Sequence, residues 1–202
     1  MSSPPYVYRS RTALVLAVAI MALAAAALVN LATGGWAVVW RWGAVPLWLA
    51  LTVWGLFGAP RVLVDQAGVT LVNPANTVYL EWGAIRRIDT RWALTLFTAR
   101  GKVTAFAAPA PSNFSIHRAR PADLKGLPES TYVADSIRPG DLPQSPSGHV
   151  ALVVRRHWEA LRDAGELGSP EDATHSVTWH KWGLGLWLAL GVAAVVLVRV
   201  GM

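Results

Sequence analysis

The alternation of apolar and polar positions changes character several times along this chain. Uncharged, mainly apolar residues run without interruption from Thr12 to Thr33 and again from Gly43 to Pro60. A further run, Trp182–Val198, lies between Lys181 and Arg199. About 20 consecutive apolar residues suffice to cross a bilayer core, where only a helix that satisfies its own backbone bonds is stable. The pattern therefore predicts an amino-terminal tail (1–11), a two-helix transmembrane hairpin (12–60) and a third transmembrane helix (180–202). The third run is close to the short limit, which favours little tilt. A cleaved signal peptide competes for the first run, with Arg9 and Arg11 before it and Ala24-Ala25-Ala26 within it. The run exceeds the roughly 7–15 apolar residues of such a peptide and a second run follows at once, which favours the retained hairpin.

Between the apolar runs the period shortens to that of strands. Arg61-Val-Leu-Val, Val69-Thr-Leu-Val, Thr77-Val-Tyr-Leu, Ile85-Arg-Arg-Ile, Trp92-Ala-Leu-Thr-Leu-Phe-Thr and Lys102-Val-Thr-Ala-Phe-Ala are short β-type runs. Turn chemistry separates them: Asp65-Gln-Ala-Gly68, Asn73-Pro-Ala-Asn76 and Arg100-Gly101. Such spacing predicts an antiparallel meander, sandwich or barrel. Pro109–Gly148 then holds seven of the thirteen prolines, which predicts a long surface loop with at most one strand at Thr131-Tyr-Val-Ala. His149–Leu167 is amphipathic at helical spacing. Val150, Val154, Trp158 and Leu161 form its apolar stripe, and Arg155, Arg156, Glu159, Arg162 and Asp163 fall on the remaining surface. The stripe needs the preceding sheet to cover it. Residues 168–179 read as a tether to the last apolar run.

A meander followed by one capping helix resembles the pleckstrin-homology (PH) domain of small bacterial integral membrane proteins. The resemblance is carried by Arg61-Val-Leu-Val-Asp65 just after a helical hairpin, Glu81-Trp82-Gly-Ala-Ile85 opening the fourth strand, and the hairpin at Gly101. It covers roughly residues 61–167, with 109–148 as a proline-rich insertion. It implies two near-orthogonal antiparallel sheets with a helix at their carboxyl end, Trp158 packed on them as a structural anchor beside Trp82, and no catalysis. The expected fold class is thus an α+β membrane protein: a helical hairpin, a PH-like β-barrel or sandwich with its capping helix, then a third span. PH domains that bind phosphoinositides carry Lys/Arg around the first hairpin. Here that loop holds Asp65 and no base, so headgroup recognition there is poorly supported.

Composition supports the membrane reading, with 53% hydrophobic and 15% charged residues among 202. Trp36, Trp40, Trp42, Trp179 and Trp182 border the apolar runs, where indole prefers to sit. The net charge of +6 does not indicate nucleic acid. Arg9, Arg11, Arg41 and Arg199 flank the apolar runs, and between Arg61 and Lys181 fourteen Lys/Arg face twelve Asp/Glu. Two arginines precede the first run against one in the hairpin loop, which predicts a bacterial plasma-membrane protein with its soluble domain in the cytoplasm. Fifteen Arg against three Lys fits a GC-rich bacterial genome. The absence of cysteine excludes disulfides and thiolate chemistry.

Catalytic chemistry finds no support. The histidines at 117, 149, 157, 175 and 180 lack metal spacing, and no nucleophile elbow, phosphate loop or dinucleotide fingerprint occurs. No catalytic residue, metal, cofactor or small-molecule substrate is expected. Arg61, Arg86, Arg87 and Arg91 are the candidates for lipid or partner contact. In a strand Arg86 and Arg87 take opposite faces, and Glu81 and Asp89 are near enough in sequence to pair with such arginines on a solvated surface. The functional reading is a non-catalytic, membrane-anchored interaction or scaffolding module with a protein partner or a second copy. The alternatives are an anionic-lipid sensor and an accessory subunit of a larger membrane enzyme or exporter.

Overall fold

The computed structural model describes residues 5–111, 128–133, 136–137 and 139–200. Much of the insertion between Pro109 and Gly148 lies outside the described residues. The chain divides into a β-rich unit, Met1–Ser10 with Arg61–Thr178, and a helical unit, Arg11–Pro60 with Trp179–Met202.

In the helical unit, α1 (Arg11–Thr33) and the helix at the chain's end, Lys181–Val200, are each long and apolar enough to cross a membrane. The second apolar run begins earlier than its composition predicts. Helix α2 (Trp36–Trp42) precedes α3 (Ala44–Val53), which continues as a π-turn over Trp54–Gly58, and the pair is bent by 44°. Pro46 explains the break. It has no N–H to offer Trp42 four residues back, and its ring crowds that carbonyl. The π-turn closes with Ala59 N–H donating to Trp54 O at 2.8 Å, just before Pro60. Helix α3 packs against both α1 and the last helix. Trp187 Nε1 donates to Thr52 Oγ1 at 2.7 Å, and the Trp48 and Trp187 rings lie 5.5 Å apart. Gly191 makes room for this contact, since a Cβ there would stand 2.9 Å from Trp48 Nε1.

The β-rich unit contains two main antiparallel sheets. The first has the order β1 (Tyr6–Tyr8), β2 (Arg61–Val64), β3 (Gly68–Val72), β4 (Asn76–Glu81) and β10 (His175–Trp179). The second is β5 (Arg87–Asp89), β6 (Ala93–Thr98) and β7 (Gly101–Pro109). Two very short strands, β8 (Tyr132–Val133) and β9 (Ser136–Ile137), pair separately. The sheets do not close into a barrel, which corrects the barrel alternative of the sequence reading. Period-two alternation sends Val62, Val64, Val69, Leu71, Val78, Leu80, Leu94 and Leu96 inward, where all are buried. Helix α4 (Pro146–Asp163) covers them with Val150, Ala151 and Val154, while Trp158 and Leu161 pack at the margin.

Several boundaries move from their sequence-based positions for identifiable reasons. Residues 1–11 are not simply a tail: Tyr6-Val7-Tyr8 adds to the free edge of β2, pairing Tyr6 with Val64 and Tyr8 with Val62. Nor are residues 168–179 simply a tether, because His175-Ser-Val-Thr-Trp forms the strand beside β4. Both additions protect sheet edges that would otherwise stay open. Helix α4 starts at Pro146, capped by Ser145 Oγ accepting from Gly148 N–H at 2.9 Å. It ends at Asp163, where Gly165 takes a left-handed φ of 72° and Glu166 N–H returns to Leu161 O at 2.8 Å.

The largest correction concerns Arg155. It is 2% exposed, with its guanidinium 2.5 Å from the carboxylate of Asp141, itself 3% exposed. Thr90 Oγ1 donates to the same carboxylate at 2.6 Å, and Arg155 also reaches Ile88 O at 3.4 Å. Proline content suggests a surface loop here, yet its carboxyl end is packed inside. Gly140 lies so close to Thr90 O that any Cβ would clash, and Ser147 Oγ donates to Gly140 O at 2.7 Å. Removing one member of a dry ion pair leaves the other uncompensated. Asp141→Ala is expected to destabilise the full chain by about 3–5 kcal/mol. Exposed Glu166→Ala should stay within about 0.5 kcal/mol, both read by denaturant titration in detergent. Equal effects from the two variants would mean that the pair does not hold this segment.

Candidate functional site

Sheet register decides which candidate residues meet. Arg87 pairs with Phe97 across β5–β6, and Phe97 pairs with Lys102 across β6–β7. The next row of the same face is Asp89, Thr95 and Thr104. Ile88, Leu94 and Leu96 point the other way, toward the core. This outer face carries a cation stacked on an aromatic ring, with the Arg87 guanidinium 3.9 Å from the Phe97 ring centroid. Phe106, further along β7, is 47% exposed.

The β5–β6 turn extends the same chemistry. Asp89 accepts from Arg91 N–H at 2.8 Å, which tightens the turn. Trp92 is 80% exposed, and the Arg91 guanidinium lies 5.6 Å from its ring. Thr90, between Asp89 and Arg91, is fully buried against Asp141. The turn is therefore held from inside while its flanking residues face solvent.

Of the four candidate arginines, Arg86, Arg87 and Arg91 belong to this one hairpin and are exposed. Arg86 precedes β5, where its N–H donates to Phe97 O at 2.8 Å, so strict strand alternation does not govern it. Arg61 is apart from them, opening β2 in the other sheet and paired with Val72. Glu81 accepts the Thr174 N–H at 2.8 Å, and this bond holds its carboxyl below the usual range. Trp82 is buried, with Nε1 donating to Asp65 O at 3.1 Å and its ring 4.7 Å from His157. Trp158 Nε1 donates to Ile85 O at 3.0 Å. The first hairpin offers nothing to an anion: Asp65 Oδ1 already accepts from the N–H groups of Ala67 and Gly68, at 2.9 and 2.8 Å.

Phe97, Lys102 and Phe106 are absent from the sequence-based candidates. Cross-strand register joins Phe97 and Lys102 to Arg87, Phe106 follows two residues beyond Thr104 on β7, and no local pattern reports that register. The exposed Trp at the start of the strand run 92–98 was the available signal.

Residues 59–142 match the family model described as a bacterial PH domain. The match spans both main sheets from β2 to β7 and ends before α4. No curated protein and no solved structure matches the chain. A PH-like segment points to non-catalytic interaction or lipid binding.

His175 links β10 to the β6–β7 hairpin. Its Nδ1 lies 3.4 Å from Thr98 Oγ1, and its carbonyl accepts from Arg100 at 3.1 Å. Burial, then the Arg100 charge, push its imidazole below the ordinary range. The unfolded chain, with an imidazole near about 6.5, therefore binds more protons in the window below that value. Stability is complete above about pH 6.5 and is lost as pH falls toward the depressed folded value. Melting temperature measured from about pH 7.5 to about pH 5 should fall, with a shallower slope in His175→Gln. An unchanged slope in the variant would remove His175 as the cause.

Proposed function

We propose that this chain is a non-catalytic, membrane-held interaction module whose β-rich unit presents the outer face of β5–β7 to a protein partner. The observation that carries this reading is the outer-face row of exposed Arg87 and Lys102 with half-buried Phe97 between them, and exposed Trp92 in the adjoining turn. Tryptophan and arginine dominate the energetics of protein interfaces, and here they lie on solvent-facing sheet rather than in a core. Strand addition is a weaker mode. The β5 edge carbonyls Ile85 O and Ile88 O accept from Trp158 and Arg155, β1 lies on β2, and Asn73 bonds Thr104 O and Phe106 N–H on β7. The second reading, anionic-lipid sensing, is favoured by Arg91 beside Trp92, a pairing suited to a headgroup layer. Service as an accessory subunit of a larger membrane complex is one form of the first reading.

Chain connectivity supports three crossings. Residues 6–8 and 61–64 are neighbours in one sheet, so the segment between them leaves and returns on the same side. If α1 crosses once, Trp36–Gly58 crosses back as one bent span, and the helix after β10 makes the third crossing. The arginines before α1 favour the cytoplasm for the β-rich unit.

Two experiments test this. A photo-crosslinking residue at position 92 or 97 of the full chain, in native membranes, should capture one partner reproducibly. Arg87→Glu with Trp92→Ala should lower capture from position 97 on the order of tenfold or more. Capture only from positions on the first sheet would sink the assignment to this face, and adducts only with lipid would favour the second reading. The chain has no cysteine, so single cysteines report sidedness without background. Ser2→Cys and Glu171→Cys should label from one side of the membrane, and Thr33→Cys and Met202→Cys from the other. Labelling of positions 2 and 171 from opposite sides would exclude the hairpin.

A further inference from the structure

The helical unit contains no Asp or Glu, yet Arg41 and Arg199 both belong to it. Neither forms an ion pair among the described residues. Arg199 lines a groove of about 830 Å³ between α2–α3 and α5 (Lys181–Val200), with Trp42, Trp48, Trp187, Gly191 and Val195. Arg41 lies over Trp42 at the same end, its guanidinium 5.5 Å from the ring. The groove therefore has the Arg199 guanidinium in its lining, Arg41 stacked on the lining residue Trp42, and otherwise only apolar or aromatic side chains. Its depth is defined by the helix that forms one wall. From Arg199 to Trp187 is twelve residues of α5, roughly 18 Å. A single leaflet is half of a hydrocarbon core of about 30 Å. Gly191 keeps the wall open, because any larger residue would meet Trp48.

We propose that this groove is a binding site for one anionic phospholipid, with its phosphate between Arg41 and Arg199 and an acyl chain laid along Trp48 and Trp187. Charge complementarity selects the occupant. Two guanidinium groups at an interface, with no Asp or Glu side chain in their own unit, favour an anion from outside. A headgroup attached to a chain of one leaflet's length meets both requirements. The site is separate from the arginines of the β5–β6 hairpin and does not depend on what that hairpin binds.

Native mass spectrometry of the full chain, released from nanodiscs containing equal phosphatidylglycerol and phosphatidylcholine, tests the assignment. A one-to-one phosphatidylglycerol adduct is expected, favoured about thirtyfold, as two near-surface cations confer. Arg41→Gln with Arg199→Gln should abolish that preference, whereas Arg86→Gln with Arg87→Gln should leave it intact. Gly191→Leu should reduce adducts of both lipids. Equal retention of the two lipids by the unaltered chain would overturn the proposal, as would a preference that survives loss of both arginines. A lipid-free dimer that Gly191→Leu dissociates would also overturn it, assigning the groove to a second copy.

Discussion

Arg155 and Asp141 are a guanidinium and a carboxylate withdrawn from water together, and much of the β-rich unit is arranged around keeping them paired. Desolvating two charges is expensive, and replacing such a pair with apolar residues is often neutral or stabilising. Its presence is therefore poor evidence for extra stability. What it does specify is position. Asp141 reaches the pair from the carboxyl end of the proline-rich insertion, Arg155 from the middle of α4, and Thr90 from the β5–β6 turn. Loss of register in any of the three strands a charge in a dry interior. The outward pose of Arg91 and Trp92 follows, because Thr90 just before them is held from below.

Legibility in the sequence follows the range of the interaction involved. The strands β2 to β7 and the apolar stripe of α4 depend on local alternation and turn residues, and they lie close to where those signals fall. The inward turn of Arg155 does not. On a helical wheel it borders the stripe, and only the distant Asp141 gives it a reason to point in. Strand β1 is similarly hidden: three residues carry no period, and their partner lies beyond the whole hairpin. The candidate surface was half legible. Arg87 and Arg91 stand out as charges in a β run, but the ring beneath Arg87 comes from a register that is a property of the sheet.

The two units solve opposite electrostatic problems. Among its described residues the β-rich unit pairs Asp141 with Arg155 and uses Asp65 and Glu81 to bind backbone N–H groups. The helical unit has no Asp or Glu side chain to use. Its helices associate instead through shape and indole chemistry: Trp187 bonds Thr52, Trp48 packs on Gly191, and Pro46 sets the bend that separates α2 from α3.

The pairing of β1 with β2 has a meaning for biogenesis. The two strands flank the helical segment Arg11–Pro60, so one sheet cannot acquire its outermost strand until that segment has been made and has folded back. Until then the edge of β2 is bare, the kind of surface that invites aggregation and quality control. Closing that edge thus couples the β-rich unit to the return of the whole helical segment.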